Sequence, residues 1–338
     1  MSEENKTKRL LTVENLSVQF RSDEGIVKAV NDLSFTIDKG QTLGLVGETG
    51  AGKTTTGLAL LDLVPDPPGE ITSGRINFNG LEVLEASEEE MQSVRGDEIS
   101  MIFQDPMTSL NPVIVVREQI AEVFEFHNSI SKSEALIQAD RMLELVGIPA
   151  DRGSEYPHQF SGGMKQRVVI AMALAGNPSL LISDEPTTAL DVTIQAQVLK
   201  MMKELILERD MAMLMITHDL GVVAETCDDV AIMYAGHIIE FGSLEDIFDN
   251  TRHPYTEGLF NSIPKLGERV DRLKPIKGLM PDPTNLPKGC PFQDRCSYCM
   301  DKCKEAKPPR VYRNDKHYVC CYLYNEENIK EGGVLHRG

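Results

Sequence analysis

The run Gly47-Glu48-Thr49-Gly50-Ala51-Gly52-Lys53-Thr54 constrains this chain more than any other stretch. It matches the spacing G-x-x-x-x-G-K-[ST], and its flanks suit that loop. Thr42-Leu43-Gly44-Leu45-Val46 is an apolar run of strand length, and Thr55 to Leu63 reads as a helix with Leu58, Leu60 and Leu61 available for burial. Glycines so placed let the backbone curl until successive N–H groups converge on phosphate oxygens, and the helix N-terminus adds a favourable dipole. Lys53 is expected to reach the β- and γ-phosphates and the Thr54 hydroxyl to ligate Mg²⁺, within a binding segment running from Gly47 through Thr55. The expected ligand is a nucleoside triphosphate.

At 338 residues the chain has room for one large domain with an extension, or for two domains. Its 41% hydrophobic and 25% charged residues are ordinary for a soluble globular protein. No apolar stretch approaches the roughly 18 residues that span a bilayer. Met1 to Arg9 is polar and the apolar run after it is too short for a leader, so a cytoplasmic location is expected. A net charge of −18 argues against bulk attraction to nucleic acid or anionic lipid. Part of that charge lies in Glu82 to Glu90, read as a solvated loop and helix start.

Residues 11–37 hold short strands (Leu11-Thr12-Val13, Leu16 to Phe20, Leu33 to Ile37), which suggest an antiparallel layer. After the glycine-rich loop, apolar runs at Met101-Ile102-Phe103, Leu180 to Ser183, Met213 to Ile216 and Val230 to Met233 alternate with helical segments. That alternation implies a mainly parallel sheet covered by helices. Residues 112–175 read as mostly helical, with a capping box at Ser131 and Glu134 followed by Ala135, Ala139, Met142 and Val146 on one face. Beyond about residue 250 prolines cluster and six of the seven cysteines appear. Such a segment is expected to need a covalent or metal staple.

Four further motifs follow in order: Phe103-Gln104-Asp105-Pro106, Phe160-Ser161-Gly162-Gly163-Met164-Lys165-Gln166-Arg167, Leu180-Leu181-Ile182-Ser183-Asp184-Glu185 and Met215-Ile216-Thr217-His218-Asp219. Singly, each has a plain structural explanation, as a solvated loop, a helix cap, a polar sheet edge or a structural histidine. In this order and placement, over residues 10–250, they resemble the Q-loop, signature, Walker B and H-loop of ABC ATPases, with Ala189-Leu190-Asp191 as the D-loop. Met164 stands where Gln is commoner, as in peptide-type importers.

The resemblance implies a role for each residue. Asp184, Thr54 and Gln104 would serve Mg²⁺ and its water shell, Glu185 would polarise the attacking water, and His218 would contact the γ-phosphate. Ser161, Gly162 and Gly163 would offer donors to a nucleotide held by a second subunit, with Asp191 of the D-loop at the same interface. An aromatic residue usually stacks on adenine, and Phe20 is the candidate.

Cys290, Cys296, Cys299, Cys303, Cys320 and Cys321 fall within 32 residues. A reducing compartment disfavours disulfides. Cys296-x₂-Cys299 would suit zinc, whereas the wider neighbouring spacings do not suggest a zinc knuckle. His253-Pro254-Tyr255-Thr256-Glu257-Gly258-Leu259, Ser262-Ile263-Pro264, Gly289-Cys290-Pro291-Phe292 and Arg295-Cys296 resemble the C-terminal region of dipeptide and oligopeptide importer ATPases. That resemblance maps a C-x₅-C-x₆-C…C pattern onto Cys290, Cys296, Cys303 and Cys321 and implies a [4Fe–4S] cluster, with zinc or free thiols as alternatives. Cys227 reads as a core residue.

The fold expected is α/β: a P-loop NTPase with a RecA-like parallel-sheet core, an N-terminal antiparallel β layer, a helical signature subdomain and a small irregular C-terminal extension. Residues 1–250 would form the nucleotide-binding domain, with the helical insertion at about 106–175, and residues 251–338 the extension. The resemblance further implies two transmembrane permease subunits, a paralogous ATPase or a second copy as dimer partner, and an extracytoplasmic peptide-binding protein. It also implies a peripheral place on the cytoplasmic face of the membrane. Two competing classes are a soluble ABC ATPase of another pathway and a non-hydrolysing, nucleotide-gated scaffold.

Overall fold

The computed structural model describes residues 9–128, 130–187, 190–262 and 275–325. Two sheets carry the described chain. The first is antiparallel, in the order β2-β1-β4-β5, from β1 (Arg9–Ser22), β2 (Gly25–Asp38), β4 (Gly69–Phe78) and β5 (Leu81–Glu82). The gap expected between Val13 and Leu16 is a bulge inside one long strand, where Asn15 adopts φ 50° and the pairing slips.

The second sheet has the order β11-β12-β10-β9-β3-β8-β7-β6. Its parallel centre is β9 (Asp229–Tyr234), β3 (Thr42–Val46), β8 (Ala212–Thr217), β7 (Leu180–Asp184) and β6 (Ile99–Ile102). Each of the strands β3, β7, β8 and β9 is buried at every position. This is why they read as continuous apolar runs: both faces of the sheet are covered. Leu43, Leu45, Ile182, Leu214 and Ile216 face the antiparallel sheet, while Val46, Leu181, Met213 and Met215 face a helical core.

The helix after the glycine-rich loop, α1 (Lys53–Leu60), starts and stops earlier than the sequence suggests. It ends because Asp62, at φ 51°, turns the chain out of helical geometry. A reciprocal capping box lies at Ser87 and Glu90, opening α2 (Glu88–Val94). A short α3 (Pro106–Ser109) follows β6. The helical layer comprises α4 (Val116–Asn128), α5 (Lys132–Leu145) and α6 (Gly162–Ala175). Ser131 caps α5 by accepting from the Glu134 N–H at 3.3 Å, and Ala135, Ala139 and Met142 are buried as expected. Two more helices, α7 (Val192–Glu208) and α8 (Leu220–Thr226), flank β8 in the chain. No described helix is long and apolar enough to cross a membrane.

After the antiparallel strand β10 (His237–Ser243) come α9 (Leu244–Asp249), α10 (Pro254–Asn261) and α11 (Asp301–Glu305). Two short strands, β11 (Arg310–Tyr312) and β12 (Tyr318–Cys320), then extend the main sheet, Glu240 pairing with Val319 and Phe241 with Tyr318. Glu240 is fully buried, which is costly for a carboxylate without partners. It accepts from the backbone N–H of Arg252 (2.6 Å) and His253 (3.0 Å), and His317 Nε2 lies 3.2 Å away. One buried acid thus joins β10, the start of α10 and the C-terminal strands.

His253 is 1% exposed, and its Nδ1 accepts from the Tyr255 N–H at 3.0 Å. Burial pushes its imidazole down to about 3, against an ordinary value near 6.5. Between those values the unfolded chain takes up a proton that the folded chain refuses. Stability is therefore complete above about pH 6.5 and falls on acidification, by up to about 1.4 kcal/mol per pH unit. Urea midpoints measured between pH 7.5 and 5 should decline, and less steeply for His253→Gln; equal slopes would contradict this account.

Candidate nucleotide site

The parallel register decides which residues meet. Val46 pairs with Thr217, and Asp184 with Ile216, so the loop after β3, the Asp184-Glu185 pair and His218 all leave the sheet at the carboxyl edge of neighbouring strands. Ligands of open α/β sheets bind along that edge. Gly47 tolerates no side chain, because a Cβ there would lie 2.3 Å from the Met233 carbonyl oxygen. Gly52 adopts φ 101° and would bring a Cβ within 2.2 Å of the Ala29 carbonyl oxygen. Both glycines are set by close backbone approach.

Lys53 opens α1 with only 6% exposure, its Nζ donating to the carbonyls of Gly47 (2.7 Å) and Glu48 (3.2 Å). Burial holds its pKa below the usual lysine range, against the opposing charges of Glu185, Asp184 and Glu48. Asp184 is 2% exposed; burial raises its pKa, opposed first by a hydrogen bond with Thr54. A hydroxyl and a carboxylate side by side form a hard oxygen pair, which fits Mg²⁺, an ion that keeps several waters and uses few protein ligands.

Glu185 has φ 46°, a left-handed conformation costing a bulky residue about 1 kcal/mol or more. Its N–H donates to the Ile216 carbonyl at 2.8 Å. Gln104 Nε2 donates to Oε2 at 3.0 Å, and His218 Nδ1 lies 2.9 Å from Oε1. The carboxylate is 9% exposed while the His218 side chain is 57% exposed. Gln104 and His218 thus orient one strained acid beside Lys53 and Asp184.

Ser161 caps α6, its hydroxyl accepting from the Met164 N–H at 3.4 Å, and both Ser161 and Gly162 are exposed. A Cβ on Gly163 would lie 2.4 Å from Ile194 Cγ2, so the signature helix packs directly against α7. Asp191 caps α7, accepting from the Ile194 N–H at 3.0 Å. Ala189 lies outside the described residues, as do Ile263 and Pro264. Met164 is half-buried, with the Arg152 guanidinium 3.5 Å from its sulfur. Phe20 sits near the end of β1 opposite Val27 and Gly69, its ring packed on Gly69.

Cys290, Cys296, Cys303 and Cys321 line one cavity of about 10 Å³, together with His253, Phe292 and Tyr322. Cys320 points elsewhere, its thiol 3.6 Å from the Ile238 carbonyl. Burial pushes the thiols of Cys290 up to about 12 and Cys296 up to about 11, so the thiol forms pack as small apolar groups. Among the described residues, no group of three or more His, Cys, Asp or Glu stands in an arrangement that would hold a metal ion. The four thiols are a donor set that suits an iron–sulfur cluster, and the space between them in this arrangement is about that of one water. Cys227 is 6% exposed in the helical core, as expected.

Two residues not singled out from the sequence touch the phosphate loop: Tyr255, whose hydroxyl accepts from the Glu48 N–H at 3.0 Å, and Arg295, whose Nη1 donates to Glu48 Oε2 at 3.0 Å. They are 207 and 247 residues away in sequence. Their one signal was membership of the His253 to Leu259 and Arg295-Cys296 runs.

A phosphate-binding loop with an Asp-Glu pair, a Gln and a His gathered on one sheet edge, beside a helical layer, defines an ATP-binding cassette. Residues 30–188 match the ABC transporter family and residues 239–303 the oligopeptide/dipeptide transporter C-terminal region. The chain is 52% identical to the oligopeptide transport ATP-binding protein OppD of Bacillus subtilis, over 95% of this chain and 91% of that one. It is 48% identical to the dipeptide transport ATP-binding protein DppD of the same organism, over 94% and 96%. A dimeric bacterial ABC transporter cassette superposes with TM-score 0.62 at 25% identity, covering 70% of this chain and 99% of that structure. The cassette cbiO1 of Clostridium perfringens, part of the ABC transporter complex cbiONQ, does so with TM-score 0.62 at 26%, covering 72% and 91%. The chain belongs to the ABC ATPases, within the family of oligopeptide/dipeptide transport ATP-binding proteins.

Asp184→Asn should raise the Mg²⁺ concentration needed for half-maximal ATPase activity by about tenfold, the loss of one charge-assisted contact. An unchanged Mg²⁺ requirement would remove Asp184 from the metal's surroundings.

Proposed function

We propose that this chain is the ATP-binding and hydrolysing subunit of an ABC importer that drives uptake of dipeptides or oligopeptides. The observation that carries the reading is Glu185, held between Gln104 and His218 beside the buried Lys53 and Asp184. The names of its relatives, at about half identity over nearly full length, support peptides as cargo.

In this reading the loop N–H groups and Lys53 grip the phosphates, and Phe20 is the proposed adenine platform. Thr54 and Asp184 hold Mg²⁺, which when bound offsets charge on the phosphates. Glu185 orients the attacking water and accepts its proton, while His218 fixes Glu185 and faces the γ-phosphate. The exposed N-terminus of α6, with Ser161, Gly162 and Gly163, receives the phosphates of nucleotide held by the opposite ATPase subunit, and Asp191 lies at the same face. That partner is a paralogue or a second copy.

A cavity of about 550 Å³ is lined by Phe103, Gln119, Val123, Phe126 and Met172, next to Gln104 and between β6 and the helical layer. Phe103 and Phe126 are 44% and 68% exposed. We assign this apolar groove to the cytoplasmic helices of two permease subunits, so that closure around ATP moves the pore. An extracytoplasmic peptide-binding protein and a peripheral place on the cytoplasmic face complete the reading, with residues 1–250 as motor and 251–338 as extension.

Glu185→Gln should reduce ATPase activity of the assembled transporter by about a hundredfold or more, the usual contribution of a positioned base. Activity within threefold of the parent would remove Glu185 from that role.

For the extension we propose that Cys290, Cys296, Cys303 and Cys321 bind a [4Fe–4S] cluster, with zinc as the second reading. The convergence of four thiols on one cavity supports it. Binding would require that cavity to widen and the thiols to ionise. Anaerobically purified protein should contain about four iron and four sulfide per chain; stoichiometric zinc without visible absorbance would exclude the cluster.

A further inference from the structure

Glu48, the second residue of the phosphate loop, is held on three sides. Its N–H donates to the Tyr255 hydroxyl at 3.0 Å, its carbonyl accepts from Lys53 Nζ at 3.2 Å, and its carboxylate accepts from Arg295 Nη1 at 3.0 Å. Arg295 is itself fixed: its side chain is 6% exposed, Nη1 also reaches the Tyr234 hydroxyl at 3.3 Å, and Nε donates to the Lys277 carbonyl at 3.1 Å. Its guanidinium lies 5.7 Å from the Tyr234 ring centroid and 5.9 Å from that of Phe292. The rings of Tyr234, Tyr255 and Phe292 pack together at 4.7–5.5 Å. The backing of the loop is therefore a buried aromatic wall, and two of its three rings come from beyond residue 250.

This backing bears on phosphate binding in two ways. The Gly47–Glu48 peptide unit accepts from Lys53 Nζ through the Gly47 carbonyl at 2.7 Å and is held by Tyr255 through the Glu48 N–H, while Arg295 anchors the Glu48 side chain, so the direction of the phosphate-binding ammonium depends on them. Glu48 also places a negative charge in a loop that receives a polyanion, and Arg295 neutralises it. We propose that Arg295 and Tyr255 are positioning residues of the nucleotide site: the C-terminal segment holds the phosphate loop in its receptive shape and masks the charge of Glu48. Affinity for Mg-ATP is then a property of the extension as well as of the cassette. Because Arg295 precedes Cys296, a change that reorders the cysteine loop reaches the phosphates through one residue.

The inference rests on the assignment of residues 47–55 as the ATP site. Its test is equilibrium binding of a fluorescent ATP analogue with Mg²⁺ to the full chain, alongside thermal unfolding. Arg295→Met should weaken binding about tenfold and Arg295→Lys less. Adding Glu48→Gln to Arg295→Met should restore affinity to within about threefold of the parent, because the unmasked charge is gone; a merely structural defect would not be rescued. Tyr255→Phe, which keeps the ring, should weaken binding about threefold and reads the second contact even if Arg295 variants fold poorly. Affinities within twofold of the parent for Arg295→Met and Tyr255→Phe, or failure of Glu48→Gln to rescue, would overturn the proposal. Parent protein that does not bind the analogue would overturn the ATP-site assignment and this inference with it.

Discussion

A buried ammonium is the constraint on which the site depends. Lys53 has left water almost completely, and burial alone would favour its neutral form. Two carbonyls and three nearby carboxylates, Glu185, Asp184 and Glu48, oppose that tendency. Such a charge is tolerable only if its partners cannot drift. The sheet supplies that rigidity, since β3, β8 and β7 are adjacent parallel strands whose register places Val46, Thr217 and Asp184 along one edge. Slippage by one residue would turn Asp184 to the opposite face and leave the lysine without its neighbour.

Local backbone chemistry made part of this legible in advance. Gly47 and Gly52 are required by close contacts with other backbone, and such positions announce themselves as glycine. Strands buried on both faces read as unbroken apolar runs, and the Ser161 run was recognisable as a helix-capping sequence. The order of the motifs then carried the assignment that no single motif could.

What escaped was non-local. The left-handed backbone of Glu185 has no residue-type signature, because it is held by the Ile216 carbonyl and by two side chains from the segments that follow β6 and β8. The joining of β11 and β12 to the main sheet was equally hidden, as each has three residues and little alternation. Nothing in the sequence singles out Glu240, which is buried under two backbone N–H groups and His317. Arg295 and Glu48 meet across most of the chain length. Prolines and cysteines suggested a separate, irregular extension needing a staple of its own, whereas its aromatic and charged residues pack against the loop that the glycines announce.

The central claim is that Lys53 and the loop around it form a Mg²⁺-dependent ATP site. Isothermal titration of the full chain with ATP, with and without Mg²⁺ and beside Lys53→Ala, tests it most directly. The account predicts one saturable site per chain that weakens at least tenfold without Mg²⁺ and again with Lys53→Ala, as loss of a charge-assisted phosphate contact requires. Binding that survives both changes undiminished, or no binding to the folded parent protein, would contradict it.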